Sequence, residues 1–212
     1  MAGNANLSGY GSVWFEKTEL VNMAAAVAAL TIAFTIAMSV NFGGSLDDLS
    51  GLSFYGYALG VSFLAVITGF ALHEFAHKVV AERNGARAEF RTYPLGLLLA
   101  VVFSFFGVVF AAPGAVYIDG DISKEQYGKI SLAGPAANVV LGVLFIGLAL
   151  ISSGGLLGFA LAWVGSVNFL LAAFNMLPIP PLDGYKVAKW NVPIYVLTFG
   201  IAAVLAGLVW FG

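Results

Sequence analysis

Five apolar runs, each as long as a bilayer-crossing helix, leave this chain few folds to adopt. A span needs about 20 mostly apolar residues to cross roughly 30 Å of hydrocarbon. Residues 20–40, 54–80, 132–151, 156–177 and 192–211 meet that length. The composition agrees, with 60% hydrophobic and 9% charged residues against about 25% charged in a soluble globular protein. Too few charges remain to cover a water-facing surface of this size. A soluble enzyme is thereby excluded, and the absence of cysteine excludes a disulfide scaffold. A net charge of -2 with no basic field excludes a nucleic-acid partner. The lipid bilayer is the expected solvent, and the fold class is a membrane all-α, polytopic helical bundle.

A sixth apolar run, 94–118, breaks the pattern because it contains Pro94, Gly96, Gly107, Pro113 and Gly114 among β-branched and aromatic residues. It reads as a strand pair or a broken helix as readily as a span. The charges choose between these. The nine basic residues are Lys17, Lys78, Arg83, Arg87, Arg91, Lys124, Lys129, Lys186 and Lys189. They share one face only if 94–118 dips in and returns, as the positive-inside rule favours. The opposite loops then carry Asp47 and Asp48 or no charge. The expectation is five crossings and one re-entrant, strand-prone segment, in a cell membrane, with the N-terminus cytoplasmic and the C-terminus outside. Residues 1–19 read as a tail, with Trp14 and Phe15 at the interface, and 20–212 as one membrane domain with a core at about 54–189. Gly56 and Gly60, four apart, read as a helix-packing contact.

Both histidines of the chain lie in His73-Glu74-Phe75-Ala76-His77. Positions i and i+4 of a helix share a face, so the two imidazoles can take one divalent metal, with Glu74 beside the metal's water. Glu74 lies in an apolar run, where an ionisable side chain is a functional candidate by default. Two imidazoles leave a tetrahedral site short of a third protein ligand. With no third histidine and no cysteine, that ligand is a carboxylate. Glu16, Glu19, Asp47 and Asp48 lie in loops or tails at the wrong place, and Glu82, Glu89, Asp119, Asp121 and Glu125 read as solvated loop charges. Asp183 closes Asn175-Met-Leu-Pro-Ile-Pro-Pro-Leu-Asp183-Gly184, where three prolines end a helix and free its last carbonyls. On its own that segment is equally a proline stop followed by an Asp-Gly turn. In the re-entrant topology, however, His73 and Asp183 both lie at cytoplasmic helix ends and can converge. Six crossings would hold them roughly 20–30 Å apart.

These segments resemble the site-2 proteases, intramembrane zinc metalloproteases. The resemblance is carried by the HExxH at 73–77, by Gly134-Pro135-Ala-Ala-Asn138 and by the Asn-x-x-Pro…Asp-Gly segment from Asn175 to Gly184, in that order. It implies that His73, His77 and Asp183 hold one zinc ion per chain, that Glu74 is catalytic and that Asn175 positions the substrate carbonyl or oxyanion. It also implies transmembrane proteins as substrates. The long apolar 94–118 departs from the family's shorter loop, and PDZ and CBS domains are absent from this sequence. Asn138 reads more readily as interhelical glue than as part of the chemistry. A transmembrane substrate must unwind before attack, and an exposed edge strand would hold it extended. Strands at 97–103 and 108–118 are expected to supply that edge. Competing readings are a diiron lipid hydroxylase, which needs many more histidines, and an HExxH family with a later glutamate ligand, which no later span provides. A client-binding membrane protein with a relic site and a small transporter complete the set.

Overall fold

The computed structural model describes residues 15–43, 46, 49, 51–109 and 113–211. Trp14, Asp47 and Asp48 lie outside the described residues. Eight helices and one two-stranded sheet follow in the order α1 (Lys17–Phe42), α2 (Gly51–Val66), a π-helical turn (Ile67–Ala71), α3 (Leu72–Arg83), β1 (Arg87–Thr92), α4 (Pro94–Ser104), β2 (Gly114–Asp119), α5 (Lys124–Ile151), α6 (Gly155–Asn175), α7 (Asp183–Trp190) and α8 (Val192–Phe211). The α2, π-turn and α3 segments run on as one helix, Gly51–Arg83. Among the described residues, five helices are thus long and apolar enough to cross a membrane: Lys17–Phe42, Gly51–Arg83, Lys124–Ile151, Gly155–Asn175 and Val192–Trp210.

Burial runs as a lipid solvent requires. Val140, Leu150 and Leu197 face outward, while Ser62, Thr68, Asn138 and Asn168 are buried. Lipid tails offer apolar side chains no incentive to leave them, so close packing and interhelical hydrogen bonds draw such helices together. Gly142 and Gly165 are close-approach glycines of this kind: a Cβ would meet Phe169 at 2.4 Å and Ile146 at 2.8 Å, respectively. Gly56 and Gly60 are not. Both are exposed, and a Cβ at either meets nothing within 4 Å, which corrects their reading as a packing contact.

The re-entrant run also differs from expectation. Residues 97–103 are helical, because Pro94 takes the first helical position, where its missing N–H is harmless, and Ala100 packs fully buried in a cluster with Leu30 and Ala33 of α1. Only Gly114–Asp119 is a strand, and it pairs antiparallel with Arg87–Thr92, from Arg87 opposite Asp119 to Thr92 opposite Gly114. The chain therefore returns to the point it left. At one end the Thr92 hydroxyl lies 3.4 Å from Asn22 Oδ1, and at the other Asn41 Nδ2 donates to the Gly107 carbonyl at 2.8 Å. Those two α1 positions are about 28 Å apart at 1.5 Å per residue. The stretch from Thr92 to Gly107 thus runs nearly the whole length of α1. Gly107 turns at its tip with φ +78°, and a Cβ there would also strike Asn41.

Glu19 is not a tail residue. Helix α1 starts at Lys17, and Glu19 is buried with its carboxylate 3.0 Å from Lys78 Nζ. Glu82 is likewise not a solvated loop charge: it lies in α3 with Oε1 3.0 Å from the same ammonium.

Candidate metal centre

His73 and His77 share one face of α3 at i, i+4, and their ring centroids are 4.7 Å apart. Asp183 is the first residue of α7, reached through the proline-rich 176–182 after α6 ends at Asn175. Gly184 makes this arrival possible by close approach, since a Cβ there would sit 2.1 Å from the Met176 carbonyl oxygen. The three residues are buried and converge: His73 Nε2 and His77 Nε2 are 3.0 Å apart, and Asp183 Oδ2 lies 3.4 Å from the first and 3.0 Å from the second. For ligands at 2.0–2.1 Å in tetrahedral array the expected spacing is about 3.3 Å.

The outer ring nitrogens fix the chemistry of the inner ones. His77 Nδ1 lies 2.7 Å from the Ile130 carbonyl, which only accepts, so Nδ1 carries the proton. His73 Nδ1 lies 2.5 Å from Asn138 Oδ1, and that amide is oriented by its Nδ2, which donates to the Gly69 carbonyl at 2.9 Å. Gly69 belongs to the π-helical turn, a widened register that often marks functional sites. Both Nε2 atoms thus turn lone pairs toward each other and toward a carboxylate oxygen. Three acceptors so placed repel unless a cation sits among them, and this donor set fits a divalent metal.

The surroundings support the same centre. Asp183 Oδ1 accepts from Lys186 Nζ at 3.1 Å, which leaves Oδ2 to face the histidines. Gly134 of α5 covers the imidazoles so closely that a Cβ would lie 2.4 Å from His77 Nε2 and 2.6 Å from His73 Nε2. Glu74 is buried beside the centre, near His73, Asp183 and Lys186, and the Val116 backbone of β2 faces its carboxylate.

Among the described residues, His73, His77 and Asp183 form the cluster able to hold a metal ion. Asn175 is half-buried, and its Nδ2 donates to the Leu171 carbonyl at 3.0 Å, one turn back on its own helix. Sequence reasoning undervalued Asn138, which joins helices and also holds a candidate ligand. It missed Asn168, which bonds Thr68 Oγ1 at 3.0 Å and lies 3.4 Å from Asn138 Nδ2. An amide in the middle of apolar α6 was the available signal.

The chain is 41% identical over 189 residues to a protein of Methanocaldococcus jannaschii named "Putative zinc metalloprotease", covering 86% of this chain and 90% of that one. "Putative zinc metalloprotease Rip2" of Mycolicibacterium smegmatis is 35% identical over 74% of this chain and 66% of its own length. "Putative zinc metalloprotease YwhC" of Bacillus subtilis is 30% identical over 61% and 68%, respectively. No family model and no solved structure matches. The near full-length likeness to a protein named as a zinc metalloprotease and the joining of the three motifs at one buried candidate metal site lead to one assignment: the chain belongs to the site-2 protease family.

Proposed function

We propose that this protein is an intramembrane zinc endopeptidase that hydrolyses peptide bonds within or near transmembrane segments of other membrane proteins. The observation that carries the reading is the convergence of two imidazole lone pairs and one carboxylate oxygen within 3.4 Å, with a second buried carboxylate, Glu74, beside them. Zinc held by His73, His77 and Asp183 would supply a Lewis acid that acidifies water and polarises the scissile carbonyl. Asn138 and the Ile130 carbonyl keep both imidazoles in the ligating tautomer, and Lys186 holds Asp183 in its ligating orientation. Glu74 takes one proton from water as the hydroxide oxygen bonds the carbonyl carbon. It then returns that proton to the nitrogen as the C–N bond breaks. Asn175, released from Leu171, donates to the carbonyl oxygen as negative charge develops there.

The topology belongs to the same proposal: five crossings, with 94–118 re-entrant and the metal centre near the cytoplasmic face. An unwound substrate would pair with the edge of β2, whose Val116 backbone lies against Glu74. Purified protein in detergent, assayed for metal and for cleavage of a model transmembrane substrate, tests the reading. Wild type should hold about one zinc per chain and cleave. Glu74→Gln should keep the zinc, Asp183→Asn should weaken it, and neither should cleave. Full activity in Glu74→Gln would refute the mechanism, and a metal-bound wild type that only retains clients would favour the binding protein instead.

A further inference from the structure

The two edges of the sheet are not equivalent. In an antiparallel pair, opposed residues either exchange both backbone hydrogen bonds or neither. Tyr93 N–H donates to the Pro113 carbonyl at 2.9 Å, which places the odd-numbered residues of β1 in the bonded register with β2. The N–H and C=O groups of Ala88 and Phe90 therefore point outward from β1. Val116 and Ile118, which face Phe90 and Ala88, point theirs outward from β2.

On the β1 side that edge is occupied. Phe90 N–H donates to Glu19 Oε1 at 3.1 Å, and Lys78 Nζ donates to the Ala88 carbonyl. The same ammonium donates to Glu19 Oε2 at 3.0 Å and lies 3.0 Å from Glu82 Oε1, so its three protons are all engaged. Lys78 and Glu19 are 2% and 1% exposed. Glu16, just before α1, pairs with Arg87, and Asn22 of α1 meets Thr92, so the start of α1 lies along the outer edge of β1. On the β2 side, the outward Val116 N–H meets the Glu74 carboxylate, whereas no hydrogen bond to another described residue occupies the outward groups of Ile118.

We propose that the buried Glu19–Lys78 pair is a strand-edge cap. It satisfies the outer edge of β1 as a neighbouring strand would, ties the sheet to the helix that carries His73 and His77, and leaves β2 as the edge to which an extended substrate adds. Lys78 and Glu19 are thus positioning residues for substrate alignment. The proposal rests on the proteolytic reading for its functional consequence and on the backbone bonds of Ala88 and Phe90 for its structural one.

The test separates a strand cap from an ordinary buried ion pair. In a Glu19→Lys/Lys78→Glu exchange the ion pair reforms, but an ammonium then meets Phe90 N–H and a carboxylate meets the Ala88 carbonyl. For a transmembrane substrate we expect KM about tenfold higher in Lys78→Met and in the exchange variant, with kcat and zinc content near wild type. Lys78→Arg, which keeps the donors, should restore KM. Amide exchange at Phe90, whose acceptor is Glu19 Oε1, should accelerate in the exchange variant and not in Lys78→Arg. Wild-type KM and Phe90 protection in the exchange variant would overturn the cap, as would a loss of kcat at unchanged KM in Lys78→Met. If the exchange variant fails to fold, Met against Arg at position 78 decides by KM. A wild type that cleaves nothing would remove the proteolytic reading, while Phe90 exchange would still support or overturn the cap.

Discussion

Asn138→Ala removes a fully buried side chain that stands between the metal centre and the rest of the bundle. Three interactions go with it: the 2.5 Å contact to His73 Nδ1, the 2.9 Å bond to the Gly69 carbonyl and the 3.4 Å contact to Asn168. Loss of the partner that orients a ligating histidine costs about 10–100-fold in metal affinity, which is about 1.4–2.7 kcal/mol. Side-chain hydrogen bonds between membrane helices average roughly 0.6 kcal/mol each, so the loss of global stability should stay near 2 kcal/mol. Zinc affinity, read by competition with a chromogenic chelator in detergent micelles, should fall by that 10–100-fold while helical content is retained. Asn138→Asp is the informative companion. Its carboxylate still accepts from His73 but sets a second acceptor against the Gly69 carbonyl, so zinc affinity should recover while the thermal midpoint does not. An alanine variant within threefold of wild-type affinity would refute the orienting role.

Two further perturbations address separate parts of the account. Gly134→Ala places a methyl 2.4 Å from His77 Nε2; metal analysis should show zinc lost by about 100-fold or more, with near wild-type helical circular dichroism, and a normal zinc content would count against the assigned centre. Proline at Ile118 removes only an outward N–H and should raise KM with the fold intact, whereas proline at Tyr117 removes a bond to β1 and should also lower thermal stability; equal cleavage by wild type and Ile118→Pro would exclude the β2 edge as the substrate platform.

What could be read from the residues followed the solvent. In lipid a helix must be apolar over its full length, so the five spans stood out as runs, and the scarcity of charge singled out the HExxH and Asp183. The features that escaped depend on distant partners. The strand Arg87–Thr92 is charged and short, and only pairing with a segment more than 20 residues away makes it a strand. Glu19 looked like a tail residue because its counterion, Lys78, is 59 positions away. The π-helical turn leaves no composition signature, yet it carries the carbonyl that orients Asn138. Gly56 and Gly60 show the converse error, a packing pattern on a face that no described residue covers. For Asn138 the identity and spacing were visible, but the bond to His73 required the fold.

The central claim is that the buried metal centre cuts peptide bonds inside the membrane, and mapping the cut tests it most directly. Wild type and Glu74→Gln, both zinc-loaded, would be reconstituted in vesicles with a single-span substrate, and the products identified by mass spectrometry. Cleavage within or at the border of the hydrophobic segment by wild type, and none by Glu74→Gln, is the predicted result. Cuts confined to water-exposed loops, or equal cleavage by the two proteins, would contradict it.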